Sequence, residues 1–262
     1  MFGKLKLGEK LSVYTMLTVL SLIWAVPLAY LLWYSWDGAG WGNYDAVIRL
    51  DLFPRFLINS VIVAVCVVSI LLIVVALAAF GFSKMKFPGR HLLFNLALVG
   101  MMIPASAMLV PLFQTIKGLG WMNSYMSLIG PEVALMAPFA LLITRNFFDE
   151  IPNELFEAAR IDGAGTMSQF VRIILPLGVP ILATAGIIVF LHSWNEYLMP
   201  LAFINDKSML TITMAPQYFI EEYTADYNKV FAAMVLMSVP IVVLYLFGQK
   251  YLQRGLTSGA LK

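Results

Sequence analysis

Six times along this chain an apolar stretch runs for about twenty residues with few or no charges, at roughly 12–34, 57–82, 92–116, 125–147, 178–200 and 230–251. A helix of that length spans the hydrocarbon core of a bilayer. In lipid no water is present to bond the backbone, so each segment must satisfy its own N–H and C=O groups, which a helix does. The expected fold class is therefore all-α: a polytopic membrane protein with six transmembrane helices in a single domain over 1–262. Composition agrees, since 61% of residues are hydrophobic and 12% charged, against about 25% charged in a soluble domain.

Prolines sharpen this expectation. The fourth span is the weakest, because Pro131, Glu132 and Pro138 interrupt it, while Pro104 and Pro111 fall in the third and Pro240 in the sixth. Such breaks are tolerated where neighbouring helices or a water-lined cavity satisfy the freed backbone groups. They suggest a bundle packed around a path, and ordinary proline kinks explain them nearly as well. The first apolar run continues from Leu11 to Trp33 without a small-x-small cleavage site, so it is expected to be an uncleaved span rather than a signal peptide.

Lys and Arg set orientation. Of the 17 in the chain, one set of flanks holds Lys4, Lys6, Lys10, Lys84, Lys86, Arg90, Arg145, Arg160, Arg172, Lys250, Arg254 and Lys262. The other holds Arg49, Arg55, Lys117, Lys207 and Lys229. The richer set is expected to face the cytoplasm, with both termini and the 149–177 segment. The outer segments 35–56, 117–124 and 201–229 are rich in Trp, Tyr, Asp and Asn, suited to the membrane interface or to an external partner. A net charge of +2 without a basic stripe gives no sign of a nucleic-acid partner. Cys66, the single cysteine, lies in an apolar run and is expected to be an inert thiol.

The segment `NELFEAARIDGAGTMSQFVRIILPLGVP` (153–180) breaks the apolar pattern. Pro152 suits a first helical turn, and Glu154 and Glu157 complement a helix dipole. Leu155, Ala158 and Ala159 make a small apolar face; Gly163 and Gly165 stop the helix. Thr166 and Gln169 have capping-box spacing, Met167, Phe170, Val171 and Ile174 follow at helical periodicity, and Leu175-Pro176 closes the unit. A helix hairpin results. It could lie on the lipid headgroups, but its first helix carries Asp149, Glu150, Glu154 and Glu157 against Arg160, which anionic lipid repels. A protein partner fits better.

These residues resemble a known family. Glu157-Ala158-Ala159, Gly163 six positions on, and Ile173-x-Leu175-Pro176 are similar to the EAA loop of bacterial ABC-importer permeases, in particular the maltose-type carbohydrate-uptake group. The stretches `INSVIVA` (58–64), `FSKMKFPGR` (82–90), `IPASAMLVPLF` (103–113), `SWNEYLMPL` (193–201) and the tail `RGLTSGALK` (254–262) agree with it. The resemblance implies a type I importer permease in the bacterial inner membrane, carrying a sugar, oligosaccharide or related polyol. It implies three kinds of partner: ATP-binding cassette ATPase subunits, a second homologous permease and an external solute-binding protein. ATP and Mg would belong to the ATPase; this chain would hold no cofactor. By position, Glu157, Ala158, Ala159, Asp162 and Gly163 would form the ATPase contact and its turn, while Phe170, Ile173, Leu175 and Pro176 would tie the hairpin to the spans. The basic tail would also reach the ATPase.

The chain has no G-x-x-x-x-G-K-[ST] sequence, so the energy must come from elsewhere. Ionisable groups inside spans are candidates for the solute path. Glu196 is one, with His192 a turn earlier, but no further ligands accompany them, so no metal is expected. Trp194, Asn195 and Glu196 could stack on and hydrogen-bond a sugar, or serve packing and gating; Asn59 and Ser106 are similar candidates. No nucleophile arrangement is visible, and His91 beside Arg90 suits an interface better than catalysis. The alternative function is an ion-driven secondary transporter of a small polar solute. That would call for several buried carboxylates, and only Glu132 and Glu196 qualify.

Overall fold

The computed structural model describes residues 7–220 and 224–258; the leading Lys4 and Lys6 and the last four residues of the tail lie outside them. The helices are α1 (Leu7–Trp36), α2 (Trp41–Ile48), α3 (Phe53–Lys84), α4 (Arg90–Val99), α5 (Leu109–Gly118), α6 (Met126–Glu150), α7 (Glu154–Ile161), α8 (Thr166–Trp194), α9 (Leu198–Phe203) and α10 (Tyr227–Ser258). Five of them, α1, α3, α6, α8 and α10, are long and apolar enough to cross a membrane, and α4 with α5 makes a sixth if that bent pair is one span.

The span that breaks is the third, not the fourth expected to be weakest. The fourth is continuous through Pro131 and Pro138, whereas the third turns by 91° between α4 and α5. At the turn Ile103 and Pro104 are both extended, as a residue before proline prefers to be. The difference is packing. α6 buries Leu128, Ile129, Pro131, Ala140, Leu141 and Phe148, and those contacts outweigh the lost helical bonds. α4 has no buried residue to offset them.

The chain packs as two compact units. The first comprises α1, α2 and α10 as far as Val239. Its core sets Val47 of α2 against Ala232 and Ala233 of α10, with Tyr44 and Leu236 beside them. Asn43 donates to the carbonyls of Ser35 and Asp37, and Asn228 donates to Asp37 as well, fixing the turn after α1. Most of the apolar surface of α1 is exposed, as a bilayer-facing helix requires.

The second unit runs from Pro54 to Met214 and resumes at Pro240. Its centre is α6 against α8. They approach so closely at Gly178 that a Cβ there would lie 2.7 Å from the Phe148 ring. A Cβ at Gly248 on α10 would likewise lie 2.7 Å from Ile187 on α8. Around Phe148 the cluster of Phe80, Leu141, Phe156, Phe170, Ile174 and Ile181 unites α3, α6, α7 and α8. This cluster reaches into the hairpin and determines where the hairpin sits.

Candidate functional site

α6 ends at Glu150, and Ile151 turns the chain back into the unit with 7% of its surface exposed. Pro152 precedes α7 rather than lying in its first turn, and Asn153 occupies the cap without a side-chain capping bond. The clamp on this approach comes from elsewhere. Lys84, at the end of α3, donates to the Ile151 carbonyl at 2.6 Å and the Asn153 Oδ1 at 3.2 Å, and its ammonium lies 5.2 Å from the Phe156 ring centre. Sequence reasoning counted Lys84 only as flank charge. Its partners are far along the chain, so no local pattern could reveal them.

Phe156 is the residue of α7 that enters the core, 5% exposed, and sequence reasoning missed it by assigning the apolar face to Leu155, Ala158 and Ala159. Ala159 is half-buried, whereas Leu155 and Ala158 face outward with Glu157 and Asp162. Ile161 is 87% exposed and, beyond the turn, Met167 is 64% exposed. The hairpin therefore presents an apolar surface rimmed by carboxylates.

The turn itself is a Schellman motif. The Ala164 N–H donates to the Ala159 carbonyl at 2.8 Å and the Gly163 N–H to that of Arg160 at 3.0 Å, with Gly163 left-handed at φ +81°. Gly165 is extended and caps α8 in place of the expected Thr166–Gln169 box; Gln169 is buried and donates instead to the Ala164 carbonyl.

Leu175-Pro176 does not close the hairpin. α8 runs without interruption from Thr166 to Trp194, with a π turn over Phe170–Ile174. Pro176 has no N–H for the Arg172 carbonyl, and the wider π turn relieves the clash its ring would cause there. Phe170, Ile173 and Leu175 pack on the core as expected, while Pro176 is exposed and ties nothing down. An Arg145–Asp149 ion pair at 2.9 Å, with Arg145 over the Phe94 ring at 4.9 Å, stiffens the end of α6 beside it.

At the opposite end of this unit lie the candidate solute-path residues, of which Asn59 and Glu196 both bond the 208–213 segment. Asn59 donates both amide hydrogens, to the carbonyls of Ser208 and Leu210 at 2.9 and 2.8 Å, and accepts from the Tyr125 hydroxyl at 2.7 Å. Ser60 accepts from the Ile212 N–H at 2.8 Å. Asn59 thus pins the 204–213 loop. Trp194 is 1% exposed and stacks on Phe190 within the bundle. Beyond it the chain leaves the helix, so the expected fifth span ends early. Glu196 accepts from the Met199 N–H at 3.0 Å, starting α9, and its carbonyl accepts from Thr213 at 2.8 Å. Asn195 and Ser106 are exposed. Ser208 donates its N–H and hydroxyl to Asp206 at 2.9 and 2.8 Å, which holds that carboxyl below its usual range. Glu132, buried in α6, has one carboxyl oxygen without a hydrogen bond.

Residues 72–258 match the family model described as "Binding-protein-dependent transport system inner membrane component". The probable ABC transporter permease protein YurM of Bacillus subtilis is 34% identical over 267 residues, covering 99% of this chain and 89% of that one. The trehalose/maltose transport system permease protein MalG of Thermococcus litoralis is 37% identical over 211 residues, covering 80% and 76%. Among solved structures, a bacterial ABC transporter involved in the import of the acidic polysaccharide alginate has a TM-score of 0.79 at 21% identity, over 92% of this chain and 95% of that one. The alginate transporter in complex with its alginate pentasaccharide-bound periplasmic protein has a TM-score of 0.74 at 18% identity, over 94% and 96%.

Proposed function

The chain belongs to the family of binding-protein-dependent transport system inner membrane components, and from that premise we propose that it forms half of the pathway of an importer for a sugar, oligosaccharide or related polyol. It is an ABC-transporter permease, a transport component rather than an enzyme. Family membership sets aside the ion-driven alternative. A sugar-like solute is supported by the trehalose/maltose system of the Thermococcus relative.

The observation that carries the coupling role is the hairpin. Phe156, Phe170 and Ile174 lock its inner side to the core, while Leu155, Ile161 and Met167 stay exposed beside Glu157 and Asp162. An apolar, acid-rimmed surface held rigidly by a bundle suits a protein cleft better than water or anionic lipid. The occupant is a separate ATPase subunit, which binds ATP and Mg. The hairpin end is cytoplasmic, in line with the Lys and Arg asymmetry, and both termini share that side. A second, homologous permease completes the pathway. An external solute-binding protein delivers the solute, as a periplasmic protein is held in the related alginate transporter. The two compact units together make the one permease domain.

Co-purification tests the reading. Ile161→Glu places a carboxylate on a side chain that is already 87% exposed, so the permease should fold and melt as before while the ATPase is lost from the complex. Retention of the ATPase at wild-type stoichiometry would overturn the assignment of this face.

A further inference from the structure

Between the hairpin and the bundle lies a cavity of about 540 Å³ that shares Glu157 with the coupling face and is otherwise lined by residues assigned to neither that contact nor the solute path. Three segments wall it: the end of α3 and the loop after it, the start of α4, and α7 with the first turn of α8. Lys84, Lys86, Arg90 and Arg160 line it against one carboxylate, Glu157. Lys84 is committed to Ile151 and Asn153, and the Arg90 Nη1 donates to the Met85 carbonyl at 3.1 Å. Among the described residues no side-chain hydrogen bond or ion pair holds Lys86 or Arg160, so their charge is available to a ligand.

The cavity's depth in the membrane follows from sequence. α3 is apolar up to Phe82, so Lys84 to Arg90 sit where hydrocarbon gives way to headgroups. A second hollow of about 350 Å³ continues the first, shares Lys86 and Arg90 with it, and ends at Leu92. From there α4 exposes Leu92, Leu93 and Leu96. A cationic chamber that opens onto an apolar helix face matches a molecule with a phosphate at one end and acyl chains at the other. An acidic peptide would meet the basic chamber but leave the leucine face bare.

We propose that this cavity binds the headgroup phosphate of an anionic phospholipid, with its chains along α4. Because Arg160 is on α7 and Lys86 follows α3, the phosphate bridges the hairpin to the bundle, and lipid composition then adjusts how firmly the hairpin is held. The inference relies on the function proposed above only for the leaflet that supplies the lipid.

The test uses the assembled importer in phosphatidylcholine nanodiscs with and without phosphatidylglycerol, with retained lipid counted by native mass spectrometry. Each cation near an anionic headgroup contributes about fivefold in affinity, so the Lys86→Gln, Arg160→Gln double variant should bind phosphatidylglycerol roughly thirtyfold more weakly. Lys86→Arg with Arg160→Lys should keep it, which separates charge from misfolding. Equal retention in the glutamine variant would overturn the proposal, and so would no preference over phosphatidylcholine. Inorganic phosphate is the remaining arm: if it raises the melting temperature of the detergent-solubilised complex as much as phosphatidylglycerol does, the site takes a free anion and the lipid assignment fails. Lipid is counted only in preparations that retain the ATPase, so a failure of the coupling reading appears separately, as loss of that subunit.

Discussion

Replacing Gly163 tests whether the hairpin depends on one left-handed residue. Nothing lies within 4 Å of a Cβ built there, so alanine meets no steric obstacle and its whole cost is conformational. Holding an L-residue in the left-handed region costs about 1–2 kcal/mol. The turn could avoid that strain by changing conformation, but it would then lose the bonds from Ala164 to Ala159 at 2.8 Å and from Gly163 to Arg160 at 3.0 Å. Each is worth about 0.5–1.5 kcal/mol net, so escape saves nothing. Gly163→Ala should therefore destabilise the formed hairpin by about 1–2 kcal/mol, a factor of about 5–30 in its population.

Two companion variants isolate the cause. Asparagine tolerates the left-handed region, so Gly163→Asn should recover a large part of the loss. Gly165 has φ −69° and ψ 167° at the cap of α8, where serine is a preferred residue, so Gly165→Ser should be neutral or slightly stabilising. Hydrogen exchange at the Ala164 amide reads the local equilibrium, and the concentration of ATPase giving half-maximal complex reads its consequence. If Gly163→Ala behaves like Gly165→Ser, or if asparagine is as harmful as alanine, the Schellman turn is not what holds the hairpin.

Other predictions follow from particular contacts. Lys84→Met keeps the stem over Phe156 but removes both hydrogen bonds to Ile151 and Asn153; the loss should be about 1–2 kcal/mol, seen as faster exchange over 151–157 with the α3 and α6 amides unchanged. Asn59→Ala strands the buried Leu210 carbonyl and the part-buried Ser208 carbonyl, and should cost about 1–3 kcal/mol and open the 204–213 loop to limited proteolysis. Asp206 is held below its ordinary value of 3.8 by the Ser208 N–H and hydroxyl. A depressed carboxyl favours the folded loop above the unfolded value and loses that contribution as pH falls below it. The protection of the Ser208 amide, the intrinsic exchange rate at each pH divided by the observed one, should fall below about pH 4 in the wild type and be flat in Asp206→Asn.

Periodicity located the apolar spans and the hairpin, and Gly163 was legible as a helix stop because left-handed backbone favours that residue so strongly. What escaped depends on long-range packing. The inward face of α7 turned on Phe156, and its local spacing gave no reason to prefer it to Leu155. Thr166 and Gln169 had capping-box spacing, yet Gln169 is buried and its amide reaches Ala164. The proline-bearing fourth span stayed whole because α8 covers it, and the barely buried third one broke. Asn59 bonds the Ser208 carbonyl, a long-range contact that local sequence could not reveal, and Trp194 stacks on Phe190.

The unbroken course of α8 changes what the proposed coupling requires. A hairpin closed at Leu175-Pro176 would be a separate piece, and any push on it would dissipate in the joint. Here the residues after the turn begin a helix of 29 residues ending at Trp194, roughly 1.5 Å per residue and so about the full thickness of the membrane. A helix of that length with a close-packed neighbour moves as one body, because its contacts at Gly178 and Phe148 have no slack for local bending. At its far end Glu196 starts α9, and its carbonyl holds Thr213 at 2.8 Å, within the same unit as the loop that Asn59 pins. In the proposed coupling, α8 is the element that would carry a displacement at Thr166 to the far loop, with a π turn over Phe170–Ile174 along its length. That segment lies beside Phe148 and Phe80, where the core is densest. The Gly163 turn lies outside this core and is held by its own two backbone bonds, so it sets the angle at which α7 meets α8.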